Sequence, residues 1–294
     1  MSTSLRNQML GSVCLGSEMD QDGGLLWLIG GTGEAVTLAQ ELAAAGIPCL
    51  VTVTTATAKK SYKETPHLTV KVGGLAVATL ADFMRAEGVG AVLDASHPFA
   101  VEISRGAIAA AQTLGLPYWR YERPTLTSSK PTDTGSPFIH RVNDLDQVLT
   151  EDCLTRQRVL LTLGYRWLHR FAPWQSEATL FARILPSPVA LEAALAAGFT
   201  PDRLIALRPP IGADLEAALW QQWRIGRVIT KASGSPGGED VKRAIAHRLG
   251  VSLYILDRPL LDYPVVHHRQ ETALAACRQW WQGQRNNPQW NNPL

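Results

Sequence analysis

Leu25-Leu26-Trp27-Leu28-Ile29-Gly30-Gly31-Thr32-Gly33-Glu34 runs five apolar residues straight into a glycine-rich turn, and a helical pattern follows at once. A short continuous apolar run ending in glycines reads as a parallel strand buried on both faces. Glycine lacks a Cβ, so the turn can be tight and its backbone can approach a ligand closely. The helix behind it points free N–H groups and the positive end of its dipole into the turn. An anion suits that place, and a dinucleotide pyrophosphate is the commonest one in a strand–turn–helix setting. The fingerprint is partial. Gly31 and Gly33 supply two of its glycines, and Val36 stands at the third position. Glu34 suits the helix dipole but would repel a phosphate, so a hydroxyl or a ring nitrogen is its natural partner.

The pattern continues outward from this turn. A helix is expected over Glu34–Ala45, stopped by Gly46. Strands follow at Pro48–Thr54, His67–Val72, Gly90–Asp94 and Pro117–Tyr121, with a helix over Phe99–Leu114. Thr125–Pro137 is rich in Thr, Ser, Pro and Gly and reads as a linker. A second alternating series comes next, with strands at 138–142, 159–163, 179–184, 204–207, 227–231 and 252–256. Helices lie between them, notably Ala213–Gln222 and Glu239–Leu249. Alternation of strand and helix means parallel, doubly wound sheets. The expected fold is therefore α/β: two Rossmann-like domains over residues 23–128 and 129–284, with a cleft between the carboxyl ends of their sheets. Residues 1–22 and 285–294 are expected to be flexible ends.

The chain has 294 residues, 46% of them apolar, and a net charge of +2. That is enough apolar content for real cores and too little charge for an electrostatic nucleic-acid binder. No apolar run reaches the length needed to span a bilayer. Cys14, Cys49, Cys153 and Cys277 are scattered, with neither zinc-ligand nor disulfide spacing. They point to a reducing, cytoplasmic compartment and to no metal site. We expect a monomer or weak homodimer.

Several strands end in polar groups, where this architecture binds ligands. Asp94-Ala95-Ser96-His97-Pro98 places a carboxylate, a hydroxyl and an imidazole at one strand end. His97 could donate a proton or meet an anion, while Asp94 and Ser96 could equally cap the next helix. A hydrolytic triad is disfavoured, because the three residues are too close in sequence and no Gly-x-Ser-x-Gly elbow exists. Leu163-Gly164-Tyr165-Arg166 is a second such turn. The third, Thr230-Lys231-Ala232-Ser233-Gly234-Ser235-Pro236-Gly237-Gly238-Glu239, could cradle anionic groups through its backbone N–H groups, although it is no Walker loop. Arg123, Arg208 and Arg258 each follow a strand and would receive carboxylates if they line the cleft.

Taken together, Gly30–Glu34, Asp94–Phe99, Tyr121–Pro124, Thr162–Gly164, Thr230–Gly234, Gly237–Glu239 and Asp257–Pro259 form an ordered set that resembles the precorrin-6A reductase family, over about residues 25–260. The resemblance implies two Rossmann-like domains and an NADPH-dependent reduction of one C=C bond in a tetrapyrrole of cobalamin biosynthesis. It places the cofactor on Gly30, Gly31, Thr32, Gly33, Glu34, Thr54 and Ser96. The macrocycle then falls to Arg123, Arg208, Lys231, Ser233 and Gly234, and the proton that completes the reduction comes from His97 as the catalytic residue, directly or through water, or from bulk water. The family commonly carries an Arg where this chain has Val36, which turns attention to Lys59 and Lys60 for a cofactor phosphate. The alternatives are another NAD(P)-dependent oxidoreductase, for which no Tyr-x-x-x-Lys pair is present, and a non-catalytic two-domain binding protein. A methyltransferase is weakened by Thr52-Val53-Thr54-Thr55, which stands where an acidic residue is needed.

Overall fold

A computed structural model describes residues 24–126 and 136–286. In chain order the first half holds β1 (Leu25–Ile29), α1 (Gly33–Ala44), β2 (Cys49–Val53), α2 (Ala56–Lys59), β3 (Leu68–Val72), α3 (Leu80–Ala86), β4 (Val89–Asp94), α4 (Val101–Leu114) and β5 (Tyr118–Tyr121). The second half holds β6 (Ile139–Val142), α5 (Glu151–Leu154), β7 (Arg158–Leu161), a 3₁₀ stretch Tyr165–Trp174, β8 (Thr179–Ile184), α6 (Pro188–Ala196) and β9 (Leu204–Ala206). It continues through α7 (Ala213–Gln222), β10 (Arg227–Lys231), α8 (Glu239–Leu249) and β11 (Ser252–Leu256). The chain then gives β12 (Val266–His267) and α9 (Gln270–Arg285).

The strands form two sheets of six, ordered β12-β5-β4-β1-β2-β3 and β6-β11-β10-β7-β8-β9. Every pairing between them is parallel. β1 shows why the opening stretch had to be a buried strand. Leu26 and Leu28 pack with α1 and α9, while Trp27 and Ile29 pack on the opposite face with α3 and α4. With both faces covered, a continuous apolar run replaces alternation.

Residues 266–285 return to the first sheet. β12 pairs with β5, with Val266 opposite Arg120, and α9 buries Ala273, Leu274 and Cys277 in the core under α1. The domain boundaries expected from the sequence put this segment in the second half. It crosses back because β5 would otherwise be an open edge and α1 would lack a partner for its apolar face. His267 is therefore a strand residue and half buried. The expected flexible extension 1–22, most of the expected linker and residues 287–294 of the tail lie outside the described residues.

Strand order reverses between β1 and β4 in the first sheet and between β7 and β10 in the second. Connections leave in opposite directions at such a point and open a crevice at the strand carboxyl ends. The turn after β1 holds Gly30–Glu34, and the turn after β4 holds His97. Gly164 follows β7, and β10 ends at Lys231. The two crevices face each other: the Lys231 Nζ stands over the Phe99 ring, 4.9 Å from its centroid.

Candidate active site

The glycine turn is built for close approach. A Cβ at Gly30 would sit 2.6 Å from the Tyr62 hydroxyl and 2.8 Å from Val51 Cγ1, so this glycine serves packing. Gly31 has φ +105°, and the space beside it and beside Gly33 is open. Thr32 caps α1: its Oγ1 accepts from the Ala35 N–H at 3.1 Å and donates to the Ala95 carbonyl at 2.8 Å. At a helix start the N–H groups of Gly33 and Glu34 have no intrahelical acceptor, and they face the turn. Glu34 is 12% exposed. Its Oε1 lies 3.1 Å from Arg123 Nε, yet it has no aligned hydrogen-bond partner among the described residues. Open glycine backbone, free helix N–H groups and an unsatisfied buried carboxylate oxygen together fit a dinucleotide: anion at the helix start, hydroxyl on Glu34. Thr54 is exposed at the carboxyl end of the neighbouring β2, on the same edge. Lys59 donates to the Val70 carbonyl and pairs with Glu64, whereas Lys60 is exposed.

Asp94 and Ser96 belong to a buried network rather than to an open site. The Asp94 carboxylate accepts from the Ser96 N–H, the Ser104 hydroxyl, the Tyr118 hydroxyl and Arg120 Nη1 at 2.6–2.9 Å. Arg120, fully buried, also donates to Ser96 Oγ at 3.1 Å and pairs with Glu122. Ser96 is thereby committed to Arg120, which makes it a poorer cofactor ligand than its position in the sequence implies. A salt-bridged carboxylate with four donors is satisfied without any ligand.

His97 stands beyond this network. Its Nδ1 accepts the Phe99 N–H at 3.2 Å, which leaves Nε2 as the protonated nitrogen of the neutral ring. Burial, with Lys231, Arg123, Arg120 and Arg258 around it, pushes its pKa down to about 3. The imidazole is therefore neutral at physiological pH and offers a hydrogen bond rather than an acidic proton. The role of catalytic acid expected for it does not fit this environment.

Lys231 carries a charge without a counter-ion. Its Nζ faces the rings of Phe99 at 4.9 Å and Trp167 at 5.7 Å, and no carboxylate or hydrogen-bond acceptor among the described residues reaches it. Burial, with Arg166 nearby, lowers its pKa to about 8. An unpaired, desolvated ammonium at a strand end calls for an anionic ligand.

The remaining expected residues divide. Ser233 and Gly234 meet the first domain: the Ser233 carbonyl accepts from Arg123 Nη1 at 3.4 Å, and a Cβ at Gly234 would lie 3.2 Å from the Pro124 carbonyl. Arg123 itself, 8% exposed, is drawn toward Glu34 and the Ser233 loop rather than left open in the cleft. Arg208 is not brought to the site. It is exposed beyond β9, at the far edge of the second sheet and three strands from β10. Sequence reading missed Tyr62, whose hydroxyl accepts the Gly31 N–H at 3.1 Å. It quoted Glu122 and Glu239 within motifs but gave them no role: Glu122 ties Arg120 to Arg258 across the domains, and the Glu239 carboxylate accepts the Gly234 N–H at 2.9 Å and pairs with Arg243. No group of His, Cys, Asp and Glu among the described residues could hold a metal.

Two doubly wound α/β domains with their switch points turned to one cation-lined cleft, and an open glycine turn on one wall, make the architecture of a two-domain α/β protein that binds its ligands between the domains. The profile of the precorrin-6x reductase CbiJ/CobK family matches residues 25–278, and the chain belongs to that family. A cobalt-precorrin-6A reductase from Synechocystis is 48% identical over 80% of this chain and 88% of its own length. A precorrin-6A reductase from Rhodococcus erythropolis is 33% identical over 80% of this chain and 89% of its own. The solved structure of CobK precorrin-6A reductase superposes with a TM-score of 0.70 at 26% identity, covering 87% of this chain and 97% of that one.

Proposed function

We propose that this chain reduces one C=C bond of precorrin-6A or its cobalt form, in cobalamin biosynthesis, with NADPH as the reductant. The observation that carries this reading is the meeting of the two switch points. An open glycine turn with an unsatisfied Glu34 oxygen faces a wall on which Lys231 lacks an anion. When bound, the nicotinamide supplies the hydride. The chain's own residues do the rest. Gly33 and the start of α1 hold the phosphates, the open space beside Gly31 lets them approach, and Glu34 takes a sugar hydroxyl. Lys60, exposed just past β2, is the group we assign to the 2′-phosphate, since Val36 stands where the family commonly carries an Arg. The acetate and propionate arms of the macrocycle neutralise Lys231, and His97 donates a hydrogen bond from Nε2. Orientation of the two reactants across the cleft supplies much of the rate.

Relatives act on both the metal-free and the cobalt-bearing macrocycle, and the relative at 48% identity is of the cobalt kind, which favours the cobalt form here. Among the described residues no helix is long and apolar enough to cross a membrane. We place the enzyme in the cytoplasm as a monomer or weak homodimer. The test is NADPH oxidation with each macrocycle and with NADH in parallel. Oxidation that requires a macrocycle supports the reading. Its absence with both, in folded protein, refutes the reading and leaves a binding protein.

A further inference from the structure

The chain leaves the first sheet after β5 and returns to it after β11. Both crossings start on the same pattern of an acid, an arginine and a proline: Glu122-Arg123-Pro124 and Asp257-Arg258-Pro259. Proline fixes its own φ and holds the residue before it in extended backbone, so each arginine is presented from a stiff stretch. The two arginines are used differently. Arg123 stays with Glu34 and the Ser233 carbonyl. Arg258 is 12% exposed and divides its guanidinium between the two domains. Its Nε donates to the Ala232 carbonyl at 2.8 Å, in the loop after β10. Its Nη1 donates to the Arg123 carbonyl at 2.7 Å and to the Glu122 carboxylate, and its Nη2 donates to the Pro124 carbonyl at 3.4 Å. The seam beside it is tight. Gly234 has φ +69°, and a Cβ there would lie 3.2 Å from the Pro124 carbonyl and 3.5 Å from Arg258 Nη2.

We propose that Arg258 is the positioning residue that holds the two walls of the cleft at the separation the reaction needs, an assignment that rests on the reading that reductant and macrocycle meet in this cleft. Domains joined only by loops rotate about those loops. Arg258 belongs to the returning crossing and grips the outgoing one, so it braces the pair at their pivot. It does so beside the cleft groups of both domains. Ala232, whose carbonyl it holds, is the residue after Lys231. Glu122 carries the link into the first domain: it accepts from Arg120 Nε at 2.8 Å, and Arg120 is held in turn by Asp94, three residues before His97. Asp94, Arg120, Glu122 and Arg258 thus form a chain of alternating charge from the strand end near His97 to the loop carrying Lys231. A guanidinium suits the place, since its planar fork donates in several directions at once, whereas an ammonium is a single point. Glu122 keeps Arg120 when Arg258 is removed, so the buried carboxylate is not left alone and the chain still folds. What is lost is the brace. A displacement of about 1 Å between reacting centres costs about 10²-fold in rate.

The test uses Arg258→Lys and Arg258→Ala in the full chain. Both variants keep the glycine turn, which lies within the first domain, so NADPH affinity by fluorescence titration stays within a few-fold of the wild type. With the macrocycle, kcat falls about 10²-fold in each. Added methylguanidinium restores part of the kcat of Arg258→Ala, and methylammonium does not. The walls are measured directly with nitroxide labels at Gln40→Cys in α1 and Gln221→Cys in α7, in a Cys14→Ser background. Both positions are exposed, and Cys49, Cys153 and Cys277 are buried. The wild type gives one narrow label-to-label distance, and Arg258→Ala broadens it. Variants with wild-type kcat and a wild-type distance, whatever their thermal midpoint, would reduce Arg258 to a structural contact and overturn the proposal while leaving the reductase reading intact. A wild-type chain with no turnover on either macrocycle would overturn the reductase reading. The labels then decide the brace, and an unbroadened distance in Arg258→Ala overturns it.

Discussion

His97 shows how much of a residue's chemistry comes from neighbours distant in sequence. Its folded pKa of about 3 lies below the ordinary 6.5, so between those values the unfolded chain binds a proton that the folded chain refuses. Stability is therefore unaffected by His97 above pH 6.5 and falls as the pH drops below it. By pH 4.5 the loss due to this one group is about 2–3 kcal/mol. His97→Gln should lose less of its denaturation midpoint between pH 7 and 4.5 than the wild type does. Equal losses would show that the imidazole is not buried among cations. The sequence placed His97, Asp94 and Ser96 together at a strand end, as the structure does. It did not show that Arg120, Tyr118 and Ser104 would occupy Asp94, or that Lys231 would come within reach of His97. Those contacts depend on strand order and domain facing, which no local pattern encodes.

At the scale of the element, the turn after β1 separates glycines that serve packing from glycines that leave room. Gly30→Ala drives a methyl group into the Tyr62 hydroxyl and Val51 and should cost about 1–3 kcal/mol in chemical denaturation. Gly33→Ala meets open space inside α1, so its stability should match or exceed the wild type, while its affinity for the dinucleotide falls as the methyl group crowds the phosphate seat. Unchanged dinucleotide affinity in Gly33→Ala, by calorimetry, would place the cofactor elsewhere. Most strands and the long helices were legible because buried parallel strands read as apolar runs and α1, α4 and α8 end at glycines or just before them. β12 was not. Two residues carry no period, and only the need of β5 for a partner brings them to the first sheet.

Over the whole molecule, the two sites share a wire of charge. Arg123 lies between Glu34 in the glycine turn after β1 and the Ser233 carbonyl in the loop after β10. Arg258 of the second half returns the link to Glu122 and to the Arg123 carbonyl. A dinucleotide that takes Glu34 changes what Arg123 offers to the second half, so the ligands should bind interdependently. NADP⁺ is expected to change macrocycle affinity by roughly 5-fold or more, with an equal reciprocal effect on NADP⁺. Glu34→Gln should reduce that coupling more than it changes macrocycle affinity alone. Additive binding in the wild type would show that the contact only holds the domains together.

The central claim is that hydride crosses this cleft from the nicotinamide to the macrocycle. It is tested most directly with NADPH deuterated stereospecifically at C4, one diastereomer at a time, in a single turnover with the macrocycle. The account predicts that one diastereomer, and only one, delivers one deuterium to a single macrocycle carbon, and that the second new hydrogen comes from solvent. Deuterium retained in the oxidised cofactor from both diastereomers, or a product with no label from either, would contradict it.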